Sequence, residues 1–307
     1  MAELNIVAES LEWPEGPVWM EDGSIILVET AAGRVVRIDA DGSKQVVAEP
    51  GDGPNGLAIG PDKGLYACNN GGMVSHRVNG LILATIDASP EYETGRIERI
   101  DVHTGRVERL YEAVDGRKLV APNDIVFDAH GGFWFSDTGK RRNHSVMDGG
   151  VFYAKADGSG ITRVLDRLSG ANGIGLSPDG SMLYVAATFD RQLLAYEITA
   201  PGELDLSNAF PAPGRVVASF PGRQTVDSLA IDAEGGICVG IVLEGTGIGT
   251  VDPVSGAIDL FQLPDLAPTN ICFGGADMQD AWITLSASGR LAKIRWDRPG
   301  LRLNYYA

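Results

Sequence analysis

The residues best suited to chemistry are six oxygen-bearing side chains that recur at one place in a repeated frame: Glu15, Asn55, Asn123, Asn172, Asp227 and Asn270. They open the stretches EGPVWMEDG, NGLAIGPDKG, NDIVFDAHG, NGIGLSPDG, DSLAIDAEG and NICFGGADM. Each can present a carboxylate or amide oxygen, and no His or Cys stands among them. Oxygen-only donors select hard cations, so Ca2+ leads and Mg2+ or Mn2+ follow, whereas Zn2+ usually draws on His or Cys. Taken one at a time, an Asn or Asp ahead of a strand can simply cap a turn. Taken as a set, the choice of carboxylates and amides over Ser, Thr or Gly favours donors that converge on one point. Carboxylates held away from water need a positive partner, and no Lys or Arg occupies the equivalent position in any repeat. A cation held by few side chains keeps coordination positions open, which is what Lewis-acid chemistry requires.

For these residues to meet, the chain must carry six segments around one axis. The shared frame is a small or Pro residue, the polar residue, four or five mainly apolar residues, a polar turn, then a second apolar run. Seven positions after the opening residues stand Asp22, Asp62, His130, Asp179, Glu234 and Asp277, where a hairpin turn needs a side chain that tolerates tight backbone. The openings lie 40, 68, 49, 55 and 43 residues apart, room for about four strands each, the number in a propeller blade. Gly and Pro punctuate short β-rich runs, and helical periodicity is almost absent. The pattern predicts an all-β, six-bladed β-propeller, with residues 1–307 as a single domain and the polar ring on its innermost strands. Residues 4–8 are expected to complete the last blade beside residues 290–296. Two repeats carry insertions, residues 70–98 and 139–149, expected as loops over the top face.

Composition narrows the partners. Lys and Arg number 25 against 41 Asp and Glu, a net charge of −16, which argues against nucleic acid or an anionic membrane and mostly serves solubility. Cys68, Cys238 and Cys272 lie in apolar runs and are odd in number, as expected of buried free thiols in a reducing compartment. Residues 1–9 lack the basic start and apolar stretch of an export signal, and no run approaches the roughly 20 apolar residues of a membrane span. The expected location is cytoplasmic. No GxSxG elbow is present, and the four His are badly placed for a nucleophilic triad. His103 and His130 fall in turns, while His76 and His144 fall in the insertions; His144, beside Lys140, Arg141 and Arg142, could reach a substrate, although solvated loop charge is the simpler role.

The stretches WPEGPVW, PNDIVFD, ANGIGLSPDGSMLYVA and VDSLAIDAEG, in this order over nearly the whole chain, resemble the SMP-30/gluconolactonase/LRE-like family. The resemblance implies a six-bladed propeller, one divalent cation, often Ca2+ or Zn2+, and hydrolysis of a small lactone such as an aldonolactone. Glu15, Asn172 and Asp227 match the family's metal ligands, Asn123 matches a position serving metal or substrate, and Asp227 matches the residue assigned as general base. Asn55, Asn123 and Trp13 are the expected substrate contacts. The chemistry is consistent: a cation polarises the lactone carbonyl and a nearby carboxylate takes a proton from water. One position departs from the pattern. Ala121, in APND, stands where sugar-lactone hydrolases of the family often place an Arg. Trp13, Met73, Phe135, Met147, Phe189 and Leu243 fall in or near segments that could border the channel mouth, with core packing the default for such residues. A less polar cyclic ester, or a cyclic ketone, is therefore an alternative substrate. Two further readings are a non-catalytic propeller that binds protein partners and a propeller of the strictosidine-synthase type, which uses a different acid in the channel and need not bind metal.

Overall fold

The computed structural model describes residues 4–142, 144–207 and 214–306. Short apolar runs separated by Gly, Asp and Pro turns form antiparallel strands, and the 3-10 turn Thr30–Ala32 is the only helical element among the described residues. Six sheets of four or more strands follow one another around a closed ring. Their innermost strands are Pro14–Trp19, Pro54–Ile59, Pro122–Phe127, Ala171–Leu176, Thr225–Ile231 and Pro268–Gly274, which define blades 1 to 6 in chain order. Each inner strand packs against the next, and the sixth returns to the first. The chain is a six-bladed β-propeller.

Burial falls from axis to rim. Pro14–Trp19 is buried at every position, whereas Lys44–Ala48, at the outer edge of the same blade, is exposed along most of its length. The apolar core is divided accordingly into clusters between neighbouring blades. Val18, Val28 and Val35 of blade 1 meet Leu57, Leu65 and Ile100 of blade 2, and a comparable cluster fills each of the other five interfaces. Phe135 belongs to one of these, stacked on Phe152 with centroids 4.9 Å apart, so it packs in the core and does not border the mouth.

In blade 6 the outermost strand is Asn5–Ala8, which pairs antiparallel with Arg290–Arg295. The beginning of the chain thus seals the sheet that its last repeat starts. At the bottom face the C-terminal segment crosses the channel. Leu301 N–H donates to Ile231 O at 2.9 Å, Asn304 Nδ2 to Phe127 O at 3.0 Å, and Tyr306 stacks on Trp19. Between this floor and the inner strands lies a cavity of about 70 Å3 lined by Leu57, Ile125, Ile174, Leu229 and Tyr306.

The turns between first and second strands use carboxylates as expected in four blades. Asp22, Asp62, Asp179 and Asp277 accept hydrogen bonds from the N–H groups of Ser24, Gly64, Ser181 and Gln279. In blades 3 and 5 the acceptor lies two residues earlier: Asp128 takes His130 N and Gly132 N, and Asp232 takes Glu234 N and Gly236 N. His130 and Glu234 occupy those turns without closing them. Both insertions are hairpins on the top face, Val74–Val78 with Leu81–Thr85 and Lys140–Arg142 with Ser145–Met147.

Candidate active site

A bulge interrupts the pairing of every inner strand with its neighbour, and it does so beside the polar position. The register shifts between Glu15 and Val18, Pro54 and Leu57, Pro122 and Ile125, Ala171 and Ile174, Val226 and Leu229, and Pro268 and Asn270. A bulge re-aims side chains that strict alternation would send to opposite faces. Glycine then lets the blades close. A Cβ on Gly16 would lie 2.3 Å from Asn55 O, one on Gly56 2.6 Å from Asn123 O, and one on Gly173 2.6 Å from Asp227 O. Inner strands therefore touch backbone to backbone at the level of the ring.

Side-chain hydroxyls fasten the same level from behind. Ser286 Oγ donates to Pro14 O at 2.6 Å, Thr188 Oγ1 to Val226 O at 2.7 Å, and Ser136 Oγ to Asn172 O. Each reaches from one blade to the next blade's inner strand, so the backbone carrying the ring is held by its neighbours.

All six ring residues come to this level of the channel. Glu15, Asn55, Asn123, Asn172 and Asn270 are buried, and Asp227 is half-buried. Glu15 Oε2 accepts from Gly16 N at 2.9 Å and from Asn270 Nδ2 at 3.2 Å. Asp227 Oδ1 accepts from Ser228 N, and Ser228 Oγ reaches Asn172 Oδ1 at 3.5 Å. Trp13, two residues outward of Glu15, is half-buried with a left-handed backbone (φ 56°). His144 is exposed.

A third carboxylate joins the site. Asp124 is buried beside Asn123, faces the channel cavity, and accepts from Ile125 N at 3.0 Å. Burial pushes its carboxyl up to about 7, and the charge of Glu15 adds to the rise. Burial likewise raises Glu15. Asp227 is driven well above the usual carboxylate range, first by desolvation and then by Glu15. No basic side chain figures among the groups acting on any of the three. The six-fold frame concealed Asp124, Ser228 and the fastening hydroxyls. A period-two strand sends Asp124 away from Asn123's face, and only the bulge brings it back; Thr188 and Ser286 each stand sixteen positions after their blade's ring residue, Asn172 and Asn270, which was the available signal for two of the fasteners.

Asn55 Oδ1 and Asn123 Oδ1 are buried without a hydrogen-bond partner. Buried amide oxygens are normally satisfied, and leaving one bare costs about 1–3 kcal/mol. Two bare oxygens at the level of three unneutralised carboxylates fit a hard, oxygen-seeking cation. Among the described residues no three His, Cys, Asp or Glu side chains form a metal-holding group by themselves, so an ion here would depend on the Asn oxygens as much as on the acids.

The model of the SMP-30/gluconolactonase/LRE-like region matches residues 13–287. The chain belongs to this family. A family relative, the lactonase drp35 of Staphylococcus haemolyticus, is 28% identical over 79% of this chain and 67% of its own; across the first curated relatives the chain spans about half to two thirds of their length. Two solved structures share the fold. A gluconolactonase from Xanthomonas campestris has a TM-score of 0.75 at 24% identity, covering 97% of this chain and 90% of that one. Regucalcin, a calcium-binding protein from Agrobacterium tumefaciens, has a TM-score of 0.72 at 19% identity, covering 98% of both chains.

Proposed function

We propose that this family member hydrolyses a small lactone at the polar ring, with one divalent cation, Ca2+ foremost and Zn2+, Mg2+ or Mn2+ as alternatives, held by Glu15, Asn123, Asn172 and Asp227. The observation that carries the reading is the pair of buried, unpartnered amide oxygens, Asn55 Oδ1 and Asn123 Oδ1, beside carboxylates that no Lys or Arg neutralises. Relatives named lactonase and gluconolactonase support the reaction class, and a calcium-binding neighbour supports the ion. When bound, the cation would polarise the ester carbonyl and offset the charge that develops on its oxygen.

The chain's own groups do the rest. Asp227 Oδ1 is engaged by Ser228 N, which leaves Oδ2 to take a proton from the attacking water. Asn172 and Ser228 fix the carboxylate's orientation, Asn55 and Asn123 position the ester, and Trp13 covers it. Water oxygen bonds to the carbonyl carbon, the ring C–O bond breaks, and the proton held on Asp227 passes to the leaving oxygen, giving a hydroxy acid. We further propose that residues 1–307 work as one domain, and that the free, buried Cys68, Cys238 and Cys272 belong to a reducing, cytoplasmic setting.

The test is removal of bound ions with a chelator, return of Ca2+, Mg2+, Mn2+ or Zn2+ singly, and measurement of acid release from a panel of sugar and non-sugar lactones. Activity should vanish and return with a preferred ion. Hydrolysis that survives complete demetallation overturns the ion's role, and silence on every lactone with every ion favours a binding scaffold.

A further inference from the structure

Six apolar clusters lie between blades; a seventh, smaller one does not fit that plan. It joins Val242 of blade 5 and Ala267 and Ala287 of blade 6 to half-buried Trp13 of blade 1 and Leu81 of the blade 2 insertion. The hairpin Val74–Val78/Leu81–Thr85 has left its own blade to reach them. Arg77 pairs with Glu12 on the way across blade 1, and Ile82 N–H donates to Ala287 O at 2.8 Å at the far end. Near its root the insertion is tied to the other one. Ala88 N donates to Arg141 O, Arg141 N to Ile86 O, Arg141 pairs with Asp87, and buried Lys140 donates through Nζ to Gly72 O at 2.6 Å. Anchored at both ends, the hairpin is a fixed roof.

The residues beneath its tip border the ring. Trp13 precedes Glu15 by two positions and Ala267 precedes Asn270 by three, while Val242 pairs with Thr225, two positions before Asp227. Leu81 therefore stands over the side of the mouth formed by blades 5, 6 and 1. On the top loops of blades 4 and 5 and the loop entering blade 6, Phe189, Leu243 and Leu266 are 44%, 61% and 44% exposed. Leu243, like Trp13, holds a left-handed backbone (φ 74°), a conformation that bulky residues keep only where the surroundings impose it. Apolar side chains left open around a polar centre mark a ligand seat. Of the cationic groups on the two insertions, Arg77, Lys140 and Arg141 are engaged by protein acceptors, so they present few free donors to the hydroxyls of a sugar ring.

We propose that this hairpin is the specificity element and that the cyclic ester taken by the ring carries an alkyl chain, seated between Leu81 and Trp13 on one side and Phe189, Leu243 and Leu266 on the other. The word ester rests on the function proposed above; the apolar seat does not. Two lactams that resist hydrolysis, 2-piperidinone and 6-pentyl-2-piperidinone, separate the two claims by calorimetry. The cation-loaded wild type should bind the pentyl lactam at least tenfold more tightly, and Leu81→Asp and Leu243→Ser should each cut that preference below threefold. Leu243 is mostly exposed, so its variant decides the matter if Leu81→Asp fails to fold. Equal binding of both lactams by the wild type, or a preference untouched by Leu243→Ser, overturns the seat. A pentyl preference in binding, with no turnover of δ-valerolactone or δ-decalactone, supports the seat and overturns the hydrolysis.

Discussion

Asp227 is the half-buried member of an otherwise buried ring, and desolvation together with the charge of Glu15 holds its carboxyl well above the usual range. Replacing it with Asn keeps the shape and the Ser228 contact while removing the proton acceptor. Asp227→Asn should lower kcat by about 10^2–10^4, with an unchanged circular dichroism spectrum. The raised carboxyls also set a pH dependence. Asp124 at about 7, with Glu15 and Asp227 raised as well, means that the chelated protein takes up protons on folding above the ordinary carboxyl range. Its stability should therefore fall as pH rises from about 4 through about 7. A cation competes with those protons, so the rise in Tm on adding Ca2+ should grow from pH 5 to pH 8; a shift that shrinks over this range contradicts a carboxylate site. The shared channel position of Glu15, Asn55, Asn123, Asn172, Asp227 and Asn270 was legible in the sequence because the frame repeats it in register. Asp124 was not, because two adjacent residues share a channel face only where the strand bulges, and bulges leave little trace in an apolar pattern.

At the scale of the strand, the ring depends on glycines that allow backbone contact. Gly16 has φ 49°, and a Cβ there would lie 2.3 Å from Asn55 O. Gly23, at φ 85° in the following turn, has nothing within 4 Å of such a Cβ. Gly16→Ala should cost clearly more than Gly23→Ala, which carries only the backbone strain of about 1 kcal/mol; urea denaturation of both variants measures the difference. The polar turn after each first strand was legible from its Asp and Gly. Which Asp closes it in blades 3 and 5 was not, since Asp128 and Asp232 lie outside the position that the other blades use. The insertions were recognisable by length alone, and their pairing through Asp87 and Arg141 joins residues 54 positions apart with no local signal.

For the molecule as a whole, the antiparallel pairing of Asn5–Ala8 with Arg290–Arg295 converts a row of repeats into a ring. Removing residues 1–8 leaves the Arg290–Arg295 edge unpaired, and an open strand edge invites another chain. The truncated protein should unfold at lower denaturant concentration and show concentration-dependent association by analytical ultracentrifugation. The fold as a whole was readable because each blade restates the same apolar alternation, so six weak local signals add to one strong one.

The segment that crosses the bottom face, with Leu301 on Ile231 and Tyr306 on Trp19, obstructs the lower end of the channel. The open approach to the ring is then from the top, past the roof of blade 2. If the ring hydrolyses an ester as proposed, product acid and fresh ester share that approach, and added product should slow turnover.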